Sequence, residues 1–234
     1  MEQRIGNQQD YRLSNEQIQV LLTSPFGDGC ISMQASGRSK YSTNCINEEY
    51  IDFKMKLLGD ICNKKKSSIN MGFKQNIIHS CTTKPLQEIS DLNSLSLEKR
   101  LSMLDDLGLA MWFYDDGSLH KKNMFYNLNT HSFSEEVHRD VLVPYFKNKG
   151  LLPDVYIDRK KDGRKFFYLY FGKHYGAYDI AQLLQKYPID CYSYKRWSSE
   201  TIQKWSKLLA QLKSENRAIT PRKFENIILG RATL

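Results

Sequence analysis

The sequence predicts an α+β fold in which one αββαββα unit is given twice, and three observations predict it. Two apolar runs close on Asp-Gly, at 21–29 (LLTSPFGDG) and 109–117 (LAMWFYDDG), and their aspartates, Asp28 and Asp116, stand 88 residues apart, the length of a small half-domain. Segments that alternate apolar and polar residues follow each run, as expected of strands with one buried face. Stretches with helical patterning then separate and close the strand pairs in both copies.

In the first copy, the run 21–29 predicts a motif helix. Pro25 lies inside it, and an internal proline removes an amide and clashes one turn back at a cost of about 3 kcal/mol or more, so the helix should be kinked or shortened near residue 21. Next comes CISMQASGR, read as one strand with Ile31, Met33 and Ala35 buried and Ser32, Gln34 and Ser36 exposed. A helix follows at 47–62, then the strands SSINMGFK and NIIHSCT, then a helix at about 84–92.

The second copy repeats the order. After 109–117 come SLHKKNMFY and FYNLNTHS, where Asn127, Asn129 and His131 alternate with Leu128 and Thr130. A helix over 134–149 opens on Ser134, whose hydroxyl can cap free amides, with Glu135 and Glu136 suited to the helix dipole. The strands DVYIDRK and KFFYLYFG are hinged on Lys161-Asp162-Gly163, and a helix at about 174–186 closes the copy. Beyond Lys195 an amphipathic helix is expected near 199–215, with Ile202, Trp205, Leu208, Leu209 and Leu212 on one stripe, followed by a basic segment. The domains are therefore read as 13–95, 96–197 and a basic helical extension, 198–234.

Gly29 and Gly117 are expected to end their motif helices in the left-handed cap conformation. Asp28 and Asp116 would then sit at helix C-termini, where the macrodipole is negative and two carboxylates repel unless a cation intervenes. Composition agrees with a charged partner. The net charge is +8 and the pI about 9.1, and from Lys195 onward nine Lys or Arg face only three Glu. Such an excess suits a polyanion. Five cysteines without a CxxC pair argue against a disulfide framework and a zinc ribbon. No secretory run and no stretch of roughly 18–20 apolar residues occurs, so a cytoplasmic chain with reduced thiols is expected. There is no GxxxxGK[ST] phosphate loop, and the histidines lack metal-site spacing; His138 with Asp140 reads as a helix surface.

Residues 109–117 closely resemble the LAGLIDADG motif in its variant ending Trp-Phe-x-Asp-Asp-Gly. NLNTHSFSEEV resembles the strand and helix start that follow it, 184–195 (LQKYPIDCYSYK) resembles the segment carrying an active-site lysine, and 21–29 is a weaker second copy. Over roughly residues 15 to 197 the chain resembles the LAGLIDADG homing endonuclease family, of the single-chain, two-motif, intron-encoded type. The resemblance implies a monomeric pseudo-twofold pair of half-domains, with two central motif helices and two curved antiparallel sheets straddling the DNA major groove. Small residues suit the helix seam, as Thr23 and Gly27 do, whereas Met111 departs from the pattern.

It also implies a site. Asp28 and Asp116, helped by main-chain carbonyls of Gly27 and Asp115, would bind Mg²⁺, with Mn²⁺ substituting. Lys195 would stabilise charge or position water, as would Lys99, whose Lys-Arg-Leu-Ser setting resembles the family's Lys-x-Ile-Pro stretch. The partner would be double-stranded DNA with a long asymmetric site, cut on both strands. Its readers in the first half would be Ser32, Gln34, Ser36, Arg38 and Lys40 on one face, with Ser42 and Asn44 on the next strand. In the second half they would be His120, Lys122, Asn127, Asn129, His131, Arg159, Lys161 and Arg164. Arg favours guanine and Asn or Gln adenine, while lysines suit phosphates. The competing reading is an intron-RNA-binding maturase or a catalytically silent DNA-binding relative, motivated by Pro25 and the basic C-terminal helix. An organelle-encoded protein would reside in the organelle matrix.

Overall fold

Ser14 starts the first helix by a reciprocal box. Its Oγ accepts the Gln17 N–H at 3.3 Å, and the Gln17 side chain accepts the Ser14 N–H at 2.8 Å. The computed structural model describes residues 11–69, 76–120, 125–172, 176–215 and 226–227. They divide into two compact units, one holding the chain through Pro25 and Gly29–Arg100, the other Phe26–Asp28 and the chain from Leu101.

In the first unit, α1 (Asn15–Leu22) is followed by β1 (Gly29–Met33), β2 (Ser39–Cys45), α2 (Glu48–Leu58), β3 (Lys66–Ile69), β4 (Ile77–Thr82) and α3 (Gln87–Asn93). The strands form an antiparallel sheet in the order β1-β2-β4-β3. Val20, Leu21, Tyr41, Tyr50, Ile51 and Ile89 are buried here. A short helix, α4 (Leu97–Met103), leads into the second unit.

Helix α1 ends early, as Pro25 requires: the proline offers no amide to the Leu21 carbonyl, which accepts the Ser24 N–H at 3.3 Å. Asp28 therefore lies six residues past the helix rather than at its end, which corrects one expectation. The strand expected over CISMQASGR is also corrected. It stops at Met33, because Gln34–Arg38 forms a hairpin turn in which the Gly37 N–H reaches the Gln34 carbonyl and Gly37 takes a φ of 78°. Met33, expected in the core, is 73% exposed.

The second unit runs α5 (Asp106–Asp116), β5 (Gly117–His120), β6 (Phe125–Asn129), α6 (Glu135–Val137), α7 (Val143–Asn148), β7 (Asp154–Arg159), β8 (Lys165–Phe171) and α8 (Gly176–Lys186), with the helix α9 (Ser199–Ser214) beyond. Its sheet has the order β5-β6-β8-β7, so the element order and the sheet topology both repeat. Asp105 caps α5 by accepting the Leu107 and Gly108 N–H groups. Every residue from Leu107 to Tyr114 is buried, as suits a helix apolar all round.

Ser134 caps α6 as expected, accepting the Val137 N–H. The helix then widens into a π turn, His138–Leu142, before α7 resumes. Pro144 explains the widening: its ring cannot sit over the Asp140 carbonyl in an α turn, and the Val143 N–H reaches back to His138 instead. His138 is fully buried, which corrects its reading as surface. Both ring nitrogens are satisfied, Nδ1–H by the Ser134 carbonyl at 2.7 Å and Nε2 by the Thr130 hydroxyl at 2.6 Å. Helix α9 joins this unit through Trp205, stacked on Tyr178 at 5.9 Å and packed against Trp197 at 4.9 Å. Among the described residues, no helix is long and apolar enough to cross a membrane.

Candidate functional site

Freed from α1 by Pro25, residues 26–28 belong to the second unit. Phe26 stacks on Trp112 of α5 at 4.7 Å and an interplanar angle of 27°. This anchor carries the next two residues to the last turn of α5, where the Asp28 N–H donates to the Asp115 carboxylate at 3.3 Å. Gly27 makes the approach possible, since a Cβ there would lie 2.6 Å from Asp115 Cβ, closer than side chains pack. The acidic residues of the two Asp-Gly motifs thus meet through a main-chain bond.

Asp115 and Asp116 are half-buried and Asp28 is exposed. Gly117 terminates α5, but with φ −79° and ψ 149° rather than the expected left-handed cap, and Gly29 begins β1. The need for glycine at 117 is steric: a Cβ would strike the Phe113 carbonyl and lie 2.9 Å from the Phe113 ring. Asp116 therefore does end a helix, whereas Asp28 is delivered to the area by a turn.

Lys195 occupies the negative end of α5. It is 8% exposed, and its Nζ donates to the Tyr114 carbonyl at 2.5 Å and the Asp115 carbonyl at 3.4 Å. The ammonium also lies 4.9 Å from the Tyr192 ring centroid, and the Lys195 carbonyl accepts from the Tyr126 hydroxyl at 2.9 Å. A cation at a partly buried helix C-terminus contributes about 0.3–2 kcal/mol. Tyr114 lies below it, donating to the Leu184 and Tyr187 carbonyls, and burial pushes its phenol up to about 12. Lys99 lies exposed on α4, in the first unit. Among the described residues, no group of three or more His, Cys, Asp or Glu could hold a metal ion.

Strand register places the other expected residues. In the first sheet Ser32 pairs with Lys40 and Cys30 with Ser42, so Ser32, Lys40, Ser42 and Asn44 share the face opposite buried Tyr41 and Thr43. Gln34, Ser36 and Arg38 belong to the hairpin turn instead of that face, for the reason given above, and the Gln34 amide folds back onto Ser32. Lys66, Ser80 and Thr82, which the sequence reading passed over, complete the same face through the pairs Asn44–Ser80, Lys66–Ser80 and Ser42–Thr82.

In the second sheet Asn127 and Asn129 alternate with buried Leu128 and Thr130 as expected, with Ser118 beside Asn127. His120 is exposed at the end of β5 and His131 just after β6; Lys122 lies outside the described residues. Arg159 pairs with Lys165 in the register of Ile157 and Phe167, the face opposite Asn127, so its inclusion among the readers is corrected: strand parity turns it away. Lys161 and Arg164 sit on the β7–β8 turn, where Arg164 pairs with Asp162 at 2.8 Å. A groove of about 430 Å³ joins Asp116 to this face, passing Ser118, Asn127, Asn129, His131, Ile157, Asp158 and Tyr168. The rings of β8 were legible in its alternation (Phe166, Tyr168, Tyr170 against Phe167, Leu169, Phe171) but were assigned no role from the sequence.

The repeated units, each a four-stranded antiparallel sheet with its helices, have the fold of homing endonucleases. The chain is similar to the homing endonuclease I-WcaI bound to its DNA recognition sequence, with a TM-score of 0.65 and 18% identity over 83% of this chain and 96% of that one. A weaker likeness, with a TM-score of 0.48 and 12% identity, links 76% of it to the whole of I-DmoI in complex with its nicked target DNA and Mn. A 128-residue stretch is 30% identical to the protein RecA of Mycolicibacterium flavescens, covering 49% of this chain and 29% of that protein, so the chain spans under a third of that relative's length. The family model of the LAGLIDADG DNA endonuclease family matches residues 18–177, and the chain belongs to that family.

Proposed function

We propose that this chain is a sequence-specific homing endonuclease that hydrolyses both strands of a long asymmetric DNA site with bound divalent metal. The observation that carries the reading is the hydrogen bond from the Asp28 amide to the Asp115 carboxylate, which joins the acidic ends of the two motifs beside Asp116. The donor set fits a hard cation. Mg²⁺ commonly takes one or two carboxylates, completing its shell with water and substrate phosphate instead of an all-protein cage. Asp28 and Asp116, with the main-chain carbonyls of Gly27 and Asp115, are oxygen donors of this kind. Bound there, Mg²⁺ or Mn²⁺ would supply Lewis-acid stabilisation of the phosphate and lower the pKa of a water, so that the hydroxide it yields could attack.

The chain's own residues do the rest. Lys195 holds its proton at Nζ against the last carbonyls of α5, fixing the turn that carries Asp115 and Asp116 and presenting a cation next to developing phosphate charge. Lys99, exposed on α4, is the lysine proposed to stabilise charge for the other half-domain, as its Lys-Arg-Leu-Ser setting suggests. The outward faces of the two sheets read the duplex, and the basic residues of 198–234 add sequence-independent attraction to phosphates. Half-domains at 13–95 and 96–197 acting from one chain make a dimer unnecessary, and their different sequences call for an asymmetric site.

The test is selection of duplex sites from a randomised pool without Mg²⁺, then incubation of the enriched site with Mg²⁺. Linear products with 3′ overhangs are expected. Tight binding to intron RNA with no cut in any enriched duplex would instead favour the maturase reading.

A further inference from the structure

The outward face of the second sheet is aromatic where a solvated strand face is ordinarily polar. On β8, Phe166, Tyr168 and Tyr170 point away from the core formed by Phe167, Leu169 and Phe171. Tyr156 of β7 lies opposite Tyr168 and is 42% exposed. Its ring centroid is 4.9 Å from that of Tyr170, which in turn is 4.7 Å from that of Phe125. The two asparagines sit among these rings, Asn127 opposite Tyr170 and Asn129 opposite Tyr168. Asn127 Oδ1 is buried without a hydrogen-bond partner among the described residues. The paired positions on the outward face of the first sheet (Ser32 with Lys40, Cys30 with Ser42, Asn44 with Ser80) carry no ring.

We infer that the second sheet reads A·T base pairs in the major groove, with its rings on thymine 5-methyl groups and the exposed Asn129 on adenine. This rests on the DNA-cutting reading above and adds the specificity of one half-site. Thymine is the base that offers an apolar group in the major groove, and adenine offers the N6 donor and N7 acceptor that an asparagine amide matches. Continuity with the cleavage site supports a duplex occupant, since the same groove runs from Asp116 past both asparagines to Tyr168. Unpaired bases are held by stacking on open ring faces. Here the rings pack on one another, with 43° between the planes of Tyr156 and Tyr170 and 52° between those of Phe125 and Tyr170, so they form one connected cluster instead of separate stacking platforms.

The experiment uses the full chain and the duplex enriched from the randomised pool. One half-site should contain an A·T run. Replacing its thymines with uracil should weaken binding about fourfold for each methyl group in contact, while the same replacement in the other half-site leaves affinity unchanged. Tyr156→Ser, at an exposed ring whose loss leaves the core intact, should bring the thymine-to-uracil affinity ratio toward one. The inference is overturned by a site that is enriched and cut but insensitive to uracil in both halves, or by single-stranded oligonucleotides competing as well as the duplex. If no duplex is enriched at all, the endonuclease reading falls with it.

Discussion

Gly27→Ala should damage the site with a single methyl group. The added Cβ would stand 2.6 Å from Asp115 Cβ and 2.8 Å from its Cγ, so the whole Asp115 side chain must swing away rather than only its tip. Such overpacking costs about 1–3 kcal/mol. The bond from the Asp28 N–H is then lost; its 3.3 Å length and exposed setting place it within the roughly 0.5–1.5 kcal/mol of an ordinary hydrogen bond. Together these predict a destabilisation of about 2–4 kcal/mol, or roughly 5–15 °C in Tm for a chain of this size. A reacting group moved by about 1 Å can lose on the order of 100-fold in rate, so cutting should fall by about that much in single-turnover assays with Mg²⁺. Asp115→Gly would make room for the methyl group, so a double-mutant cycle should show strong favourable coupling between 27 and 115. Gly27→Ala as stable and as active as the parent, or a cycle with no coupling, would refute the argument.

Three further outcomes are expected. Lys195→Met leaves two helix-end carbonyls without their ammonium; cutting should fall far more than DNA affinity, and a filter-binding measurement beside the rate separates the two. His138 is held neutral, since burial depresses its pKa below the ordinary 6.5. The unfolded chain therefore binds more protons than the native one as pH falls below 6.5, so stability should rise with pH up to about 6.5 and level off above it. His131, also depressed by burial, adds a contribution of the same sign. Urea midpoints from pH 5 to 8 test this, and His138→Gln should flatten the slope. DNA affinity should drop steeply with salt, log K against log salt falling by nearly one unit for each phosphate neutralised.

Much of the fold was legible because local signals agreed with tertiary demands. The alternation in KFFYLYF, the Ser134 cap and the helical stripe of α9 each correspond to an observed element, and Pro25 announced where α1 ends. Two failures share a cause: period-two patterning states that a strand has two faces but not where it turns or which face is inward. CISMQASGR alternates well, yet Gly37 closes a hairpin within it; Arg159 falls on the wrong parity for the role assigned to it. His138 misled because a buried histidine is distinguished from a surface one by partners (Thr130 and the Ser134 carbonyl) that no periodicity reports. At the site, the aspartates could be seen in the sequence, but the bond between Asp28 and Asp115 could not. It depends on a turn that Pro25 opens, on Phe26 finding Trp112, and on the absence of a side chain at Gly27.

The central claim is that Asp28 and Asp116 together hold the metal that cuts DNA. Its most direct test is to place Asp28→Asn and Asp116→Asn separately on the enriched duplex, with and without Mg²⁺, and to follow binding and double-strand cleavage side by side. Each variant should bind the site and leave it uncut, as the parent does once Mg²⁺ is chelated. Cleavage by either variant at the parent's rate, or by the parent without divalent metal, would contradict the claim.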